Sequence, residues 1–549
     1  MFTRGQVLAN IIGMVFCTGL PALETNAQHL SWAIPLPGET YSFDNGLYEH
    51  PAGHVVCLVP TGGGFTPDNA TIAGYDWQGA PMGETHLSVG RFLRPVQNGY
   101  TLAGGFSGSV NIGGQEVHGG ASASEFFLAR FDSVGQLLWV TPSVSTEQNA
   151  PIPMDVASNP AGYTVMLIMG SREFYFGEDT VVSSSGYSWH VLFIDPTGDL
   201  LWARSFVPTQ SGEVFGLSGT SIAIDADNRV WLASELRFAV SVDTDTITPI
   251  EENASDHLVL RFDEAGNNLT SHLFPGTQGT TDLYCTELVP DATGTMYWLG
   301  AHEGTVALGE DTLASAGGFD GLIMHLDGTL SPDHALSIRS VVDDVISVGT
   351  YDPIEDRLLV AGVCGPEAVF GNDTIQVPEG KGMFLSEIST QGIAGSSELL
   401  ALMPAGNANY IELLHLVVND GPIHISGRTW GSSTFVNGSS FGESNFLARI
   451  DRDDAVWIRE GDTTMTSSLI CWPIPTSSEL YVNWSKATGG PIRFEVYTVN
   501  GALAMNGLSH RSASTELTSI NVASLQPGVY HLRLYSSDMT ETLEFVKMQ

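Results

Sequence analysis

Short runs of alternating apolar and polar residues recur along the chain, each followed by a polar turn and a second such run. FFLARFDSVGQLLWV (Phe126–Val140), HVLFIDPTGDLLWA (His190–Ala203) and HLVLRFDEAGNNLTS (His257–Ser271) set the pattern. GLIMHLDGTLSPD (Gly321–Asp333), MFLSEISTQGIAG (Met383–Gly395) and NFLARIDRDDAVWI (Asn445–Ile458) continue it, and ATIAGYDWQGAPMG (Ala70–Gly83) is a fainter copy. A period of two on both sides of a Gly- or Asp-bearing turn predicts a β-hairpin. The turn-opening residues are Asp76, Asp132, Asp195, Asp263, Asp327, Ser389 and Asp451, seven copies spaced 56 to 68 residues apart.

A second apolar segment precedes each hairpin within the array, as in GYTLAGGF (Gly99–Phe106), NRVWLAS (Asn228–Ser234) and GTMYWLGA (Gly294–Ala301). Another short strand often lies before it, as in SIAIDADN (Ser221–Asn228). Each unit thus holds about four strands, and no stretch sustains a helical period. A unit of about 60 residues is shorter than an immunoglobulin-like sandwich of ~100 residues and longer than one coil of most solenoids. Seven four-stranded units closed into a ring hide their strand edges, which an open array leaves exposed. The expected fold class is all-β, a seven-bladed β-propeller over residues 28–462. HLSWAIPL (His29–Leu36) has the form of an outer blade strand and could close the ring, yet Val456–Glu460 reads as the last blade's own outer strand.

Composition agrees with a turn-rich β protein: 43% of the 549 residues are hydrophobic, with 61 Gly and 27 Pro and no collagen-like period. Charge excludes more. Twenty-one Lys and Arg against 61 Asp and Glu give a net charge of −40, which repels phosphate backbones and anionic lipid heads. Nucleic acid is therefore not an expected partner. Cys17, Cys57, Cys285, Cys364 and Cys471 form no CxxC pair, so the common zinc and redox patterns are absent.

Residues 1–27 read as a secretory signal peptide: Arg4, a short apolar run from Val7 to Leu20, and small Ala27 before a cut at Gln28. No later run is long enough to span a bilayer as a helix. After Asp462 the pattern changes. Residues 463–468 form a Thr/Ser-rich linker, and residues 469–549 carry ELYVNW, IRFEVYTVNGALAM, TSINVASL, GVYHLRLY and TLEFVK, the strands of a small antiparallel β-sandwich with an Asn500-Gly501 turn.

Two resemblances rest on these residues. The repeats, most clearly Gly99–Val140 and Phe176–Phe206, are similar to the β-propeller repeats of bacterial extracellular proteins and depart from them at Ser241–Ser255 and Pro378–Gly392. The motifs CWPIPTSSELYV, FEVYTVNGALAM, INVASLQPGVYHLRL and EFVK resemble, in order, the type A C-terminal sorting domain of Bacteroidota type IX secretion. Ile474 stands where that family usually has Asn. The resemblance implies Pro473, Pro475, Gly501, Pro527, Gly528, Tyr530, Phe545, Val546 and Lys547 as sorting-signal residues and the secretion machinery as a partner. It also implies a surface or secreted location reached through the periplasm. Within that lineage, Asp-Thr-apolar triplets resemble O-glycosylation acceptors, which would place sugars on Thr180, Thr246, Thr312 and Thr374.

Catalytic signals are sparse. TGGGF (Thr61–Phe65) lacks the Lys-Ser/Thr of a phosphate loop, and His50 and His54 sit on a Pro/Gly loop without the helix and Glu of a zinc protease. Asp225 and Asp227 alternate as calcium ligands do, but without the Gly turn and distal Glu of a calcium loop, and a turn-capping role fits them better. Trp139, Trp202 and Trp457 recur in register, as blade packing requires. No cofactor is expected, with calcium the one candidate. The expected function is a non-catalytic surface or secreted binding module for an unidentified glycan or protein. An extracellular hydrolase or lyase, or a structural or adhesive surface component, are the alternatives.

Overall fold

The computed structural model describes residues 30–36, 46–50, 54–60, 70–76, 78–87, 90–120, 125–145, 151–170, 173–182, 188–209, 220–250, 256–267, 270–276 and 283–309. It further describes 311–378, 380–404, 410–418, 422–451, 469–472, 479–484, 491–498, 503–510, 517–535 and 540–547. The chain divides into two compact units, Met1–Asp453 and Asp454–Gln549.

Among the described residues, the first unit holds seven antiparallel sheets with four strands each, hereafter blades 1–7, four of them extended to six strands by a small hairpin. Their innermost strands are Gly46–His50, Phe92–Val96, Ile152–Ser158, Ser221–Ile224, Leu283–Pro290, Val345–Asp352 and Tyr410–Val418. Each touches the next in this order, and the seventh touches the first, so the sheets close a ring around a central channel. The second strands (such as Thr164–Gly170 and Val230–Leu236) are buried at every position, as are third strands such as Ser188–Ile194. Strands covered on both faces must be continuously apolar, which is why these segments stood out in the sequence.

The turn aspartates act as the alternation predicted. In Asp132, Asp195 and Asp327, Oδ1 accepts the backbone N–H groups two and four residues on, at 2.7–3.0 Å. This Asx geometry closes the tight turn from within.

Ring closure comes from the first described strand. Leu30–Leu36 pairs antiparallel with Ser444–Ile450 and forms the outer edge of blade 7. Residues 456–460, the rival outer strand, lie outside the described residues. Neighbouring blades are further stitched by small hairpins that leave one blade and pair with the outer strand of the blade before it. Phe176 lies opposite Ser143, Val242 opposite Phe206, Phe370 opposite Ile338, and Phe435 opposite Ala401.

The second unit has a three-stranded sheet (Leu469–Trp472, Glu479–Trp484, Leu517–Asn521) and a four-stranded one. The latter runs Leu503–His510, Pro491–Thr498, Gly528–Tyr535, Thr540–Lys547. Leu480 and Ile520 from one sheet pack with Phe494, Val496, Tyr530, Leu532 and Leu534 from the other. One shared core between two sheets makes this unit a β-sandwich.

Candidate functional site: the central channel

Six blades contribute residues to one cavity of about 470 Å³ in the channel. Its polar lining comes from side chains far apart in sequence: Arg94 on blade 2, Asp155 on blade 3, Tyr284 and Glu287 on blade 5, and Tyr410, Glu412 and His415 on blade 7. β-bulges position several of them. The inner strands of blades 3, 5, 6 and 7 each shift register once, between Pro153 and Asp155, Cys285 and Glu287, Ile346 and Val348, and Leu413 and His415. A bulge re-aims the residue beside it.

By strand register, Asp155, Ser221 and Glu287 occupy the same place in blades 3, 4 and 5. Each receives a backbone N–H from the next blade: Ile222 N to Asp155 Oδ2 at 2.9 Å, Leu288 N to Ser221 Oγ at 3.1 Å, and Gly349 N to Glu287 Oε2 at 2.7 Å. These bonds join blades and occupy one oxygen of each carboxylate. Arg94 ties three blades together. Its Nε donates to Val156 O at 2.6 Å, and its Nη2 lies 3.4 Å from Asp155 Oδ1. Its Nη1 lies 3.2 Å from His415 Nε2. Thr286 Oγ1 donates to Ile346 O at 2.8 Å.

The electrostatics set Glu287 apart. Burial pushes its carboxyl up to about 7, against the lowering effect of the Gly349 N–H and of Arg94, so near neutrality the group can either give or take a proton. Its Oε1 takes no hydrogen bond from the described residues. Burial also raises Asp155, opposed by Arg94 and two backbone N–H groups, and raises Glu412, opposed by Arg428. Burial raises Tyr284 and Tyr410 as well, leaving both as neutral phenols. The cavity thus brings together donors, acceptors and two aromatic rings.

The residues singled out in the sequence lie elsewhere. Asp225 is buried and spends its carboxylate on protein donors: Oδ1 on the N–H groups of Asp227 and Arg229, and Oδ2 on Arg229 Nε and Trp231 Nε1. Asp227 pairs with Arg229 Nη2 at 3.2 Å. Trp139 and Trp202 lie between blades, their indole N–H groups donating to Pro196 O at 2.9 Å and Glu264 O at 3.0 Å, while Trp457 lies outside the described residues. Thr180, Thr246, Thr312 and Thr374 are all exposed and occupy one register position, opposite Tyr175, Ser241, Ala307 and Val369 on small hairpins.

Among the sorting-signal residues, Pro473, Pro475 and Gly501 lie outside the described residues. Pro527 and Gly528 are exposed, and buried Tyr530 donates its hydroxyl to Gln526 O at 2.9 Å, closing the turn before the Gly528–Tyr535 strand. Gly528, Val529 and Tyr530 pair with Lys547, Val546 and Phe545, so the two sequence motifs GVYHLRL and EFVK form one hairpin. Cys57, Cys285 and Cys364 are buried free thiols. The channel residues carry no local sequence signal, because each blade supplies only one or two of them.

Fold and sequence together define a β-propeller protein with an appended β-sandwich sorting module. Residues 471–548 match the family model described as the secretion system C-terminal sorting domain. The chain is therefore a cargo of type IX secretion, delivered to the cell surface or the extracellular space. No curated protein matches it. Among solved structures, a protein of unknown function from Bacteroides caccae is 10% identical with a TM-score of 0.26, covering 58% of this chain and 89% of that one. Sqt1 from Chaetomium thermophilum is 9% identical with a TM-score of 0.36, covering 76% and 100%. A glycoside hydrolase family 43 arabinoxylan arabinofuranohydrolase from Bacillus subtilis, in complex with cellotetraose, is 10% identical with a TM-score of 0.24, covering 72% and 94%. Likenesses this loose carry no functional argument. Among the described residues, no helix is long and apolar enough to cross a membrane.

Proposed function

We propose that the propeller is an exported binding module that takes a polar, hydroxyl-rich ligand such as a glycan end into its central channel. The observation that carries this reading is the convergence of Arg94, Glu287, Glu412, His415, Tyr284 and Tyr410 on one cavity of about 470 Å³. That volume falls within the range of small-molecule sites, ~300–1,000 Å³. Hydroxyl groups suit both the free oxygen of Glu287 and the tyrosine faces. The net charge of −40 disfavours anionic ligands. A glycan array probed with the secreted protein, followed by calorimetry on hits, tests the reading. Binding should weaken in Tyr284→Ala and Glu287→Ala, and hits that bind these variants as well as the parent would refute it.

The carboxylates favour a second reading, a hydrolase or lyase on the same scaffold. Glu287, with its carboxyl pushed up to about 7, suits a proton donor, and Asp155 shares the cavity. Release of reducing ends from the same glycans, lost in Glu287→Gln, would establish it. Retention in the cell envelope without soluble ligand binding would instead indicate a structural or adhesive component.

A further inference from the structure

We propose that blade 5 carries a site for a divalent metal of the Zn²⁺ class, held by His325, Asp333 and His334 on the hairpin between its third and fourth strands. His325 and His334 face each other across the hairpin, their rings stacked 4.8 Å apart, and one register shift leaves Asp333 as the extra residue beside them. Asp333 Oδ1 lies 2.7 Å from Nδ1 of both imidazoles. The two histidine side chains are mostly buried and that of Asp333 is about half exposed.

Hydrogen-bond accounting calls for a cation here. Thr295 Oγ1 donates its hydrogen to Asp291 Oδ2 at 2.7 Å. Its contact with His325 Nε2, also 2.7 Å, then requires the proton to sit on Nε2. A neutral His325 therefore turns a bare lone pair at Nδ1 toward a carboxylate oxygen at hydrogen-bond distance. His334 repeats the contact from the other side. Three donor atoms meeting in this way match the protein share of an open zinc site, and two imidazoles with one carboxylate select a transition metal over calcium. The relay from His325 Nε2 through Thr295 to Asp291 is the outer support that metal-binding histidines use to fix their tautomer.

Blades 2 and 3 act as internal controls. At the places of His325 and His334, blade 2 has Arg130 and Trp139, and blade 3 has Phe193 and Trp202. The extra residue at the shift is Leu138 in blade 2 and Leu201 in blade 3, both exposed. There the tryptophan packs on a turn glycine of the following blade, Gly198 or Gly266, as His334 packs on Gly392. Only His334 leaves its outer nitrogen, Nε2, buried without a partner, where the two indoles donate to backbone carbonyls. Ring packing alone would be served by Trp, so the His-Asp-His set needs another explanation, and metal binding supplies it.

The test uses the full secreted chain, stripped with a chelator, loaded with Zn²⁺ or Co²⁺ and desalted. The expected result is one retained metal per chain and the visible absorption of a low-coordinate Co²⁺ site. Both should be lost in Asp333→Asn and His334→Trp, and affinity should fall about tenfold in Thr295→Val. His334→Trp restores the side chain of blades 2 and 3, so it should fold even if other variants do not. His118→Gln, at an unrelated exposed histidine, should change nothing. Failure to retain metal, or equal retention by Asp333→Asn and His334→Trp, would overturn the proposal; the first would leave His325 as an imidazolium paired with Asp333.

Discussion

The ring is held shut by a strand that no covalent bond ties to its own blade, and this makes its failure predictable. Leu30 and Leu36 sit at either end of Leu30–Leu36 and are 5% and 4% exposed. Leu30 packs among Ile423, Ile450 and neighbours in the core of blade 7, whereas Leu36 packs with Leu47 and Val55 of blade 1 as well as Leu447. Replacing a buried Leu by Ala costs about 2–5 kcal/mol. The two positions are far enough apart along the strand for the costs to add, so the double variant loses about 4–10 kcal/mol, a large part of the ~5–15 kcal/mol that stabilises a typical domain. Because every 1.4 kcal/mol is about tenfold, each single variant should raise the opening equilibrium of this strand roughly thirty-fold to a few thousand-fold. Hydrogen exchange reads this directly. In Leu30→Ala and Leu36→Ala, amides of residues 30–36 and of the newly exposed edge Ser444–Ile450 should lose protection first, while Asp256–Phe262 in blade 4 stays protected. If all blades lose protection together, or Ser444–Ile450 stays as protected as in the parent, the strand is not a separable latch and the reasoning fails.

Four further outcomes can be measured. Burial raises the folded-state carboxyl of Glu287 to about 7, above its ordinary value of 4.5, so the native state binds the extra proton between those values. Stability from this group is complete below about pH 4.5 and is lost as pH rises through about 7; Glu287→Gln should flatten that part of a pH–stability curve measured by denaturant unfolding. Asp195 has the opposite sign: slight burial raises it, but the Thr197 hydroxyl and three backbone N–H groups hold it below the usual range, so its contribution exists above pH about 4 and disappears in acid. Asp195→Ala should cost about 1–3 kcal/mol at neutral pH and almost nothing at the acid end, read by the same unfolding assay. Ending the chain after Asp462 should trap it in the periplasm of a host with type IX secretion. Mass spectrometry of the secreted parent should find glycan on Thr180, Thr246, Thr312 and Thr374, which Thr→Val changes would remove site by site.

The repeat was legible because its signals are local. An alternating run, an Asp that caps its own turn and a second run all fall within about 15 residues, and the fully buried second strands read as apolar segments. Ring closure was not legible, because Leu30–Leu36 pairs with Ser444–Ile450 at the far end of the unit and both candidate outer strands have the same pattern. The channel was opaque for a different reason. Asp155, Ser221 and Glu287 share a structural position but not a residue type, so no motif links them, and the bulges beside Asp155 and Glu287 are features of strand register that spacing does not show. His325 and His334 were missed because their pairing depends on a hairpin register that spacing alone does not reveal, whereas the HxxxH-like spacing of His50 and His54 drew attention. The sorting module was the most legible part, since GVYHLRL and EFVK lie on adjacent strands of one hairpin.

The small hairpins that reach back to the preceding blade set the unit of inheritance for this ring. A sequence period and a sheet are out of step: the segment that finishes one blade's outer edge is encoded with the blade after it. In blades 2, 3, 5 and 6, where the outer strand carries such a hairpin, duplicating or losing one period adds or removes a whole sheet together with the hairpin that covers its neighbour's outer strand. A lineage could change the number of such blades while keeping their outer edges covered, and an engineer choosing where to cut the gene should place the ends between second and third strands, beyond the hairpin, rather than at the visible gaps between blades.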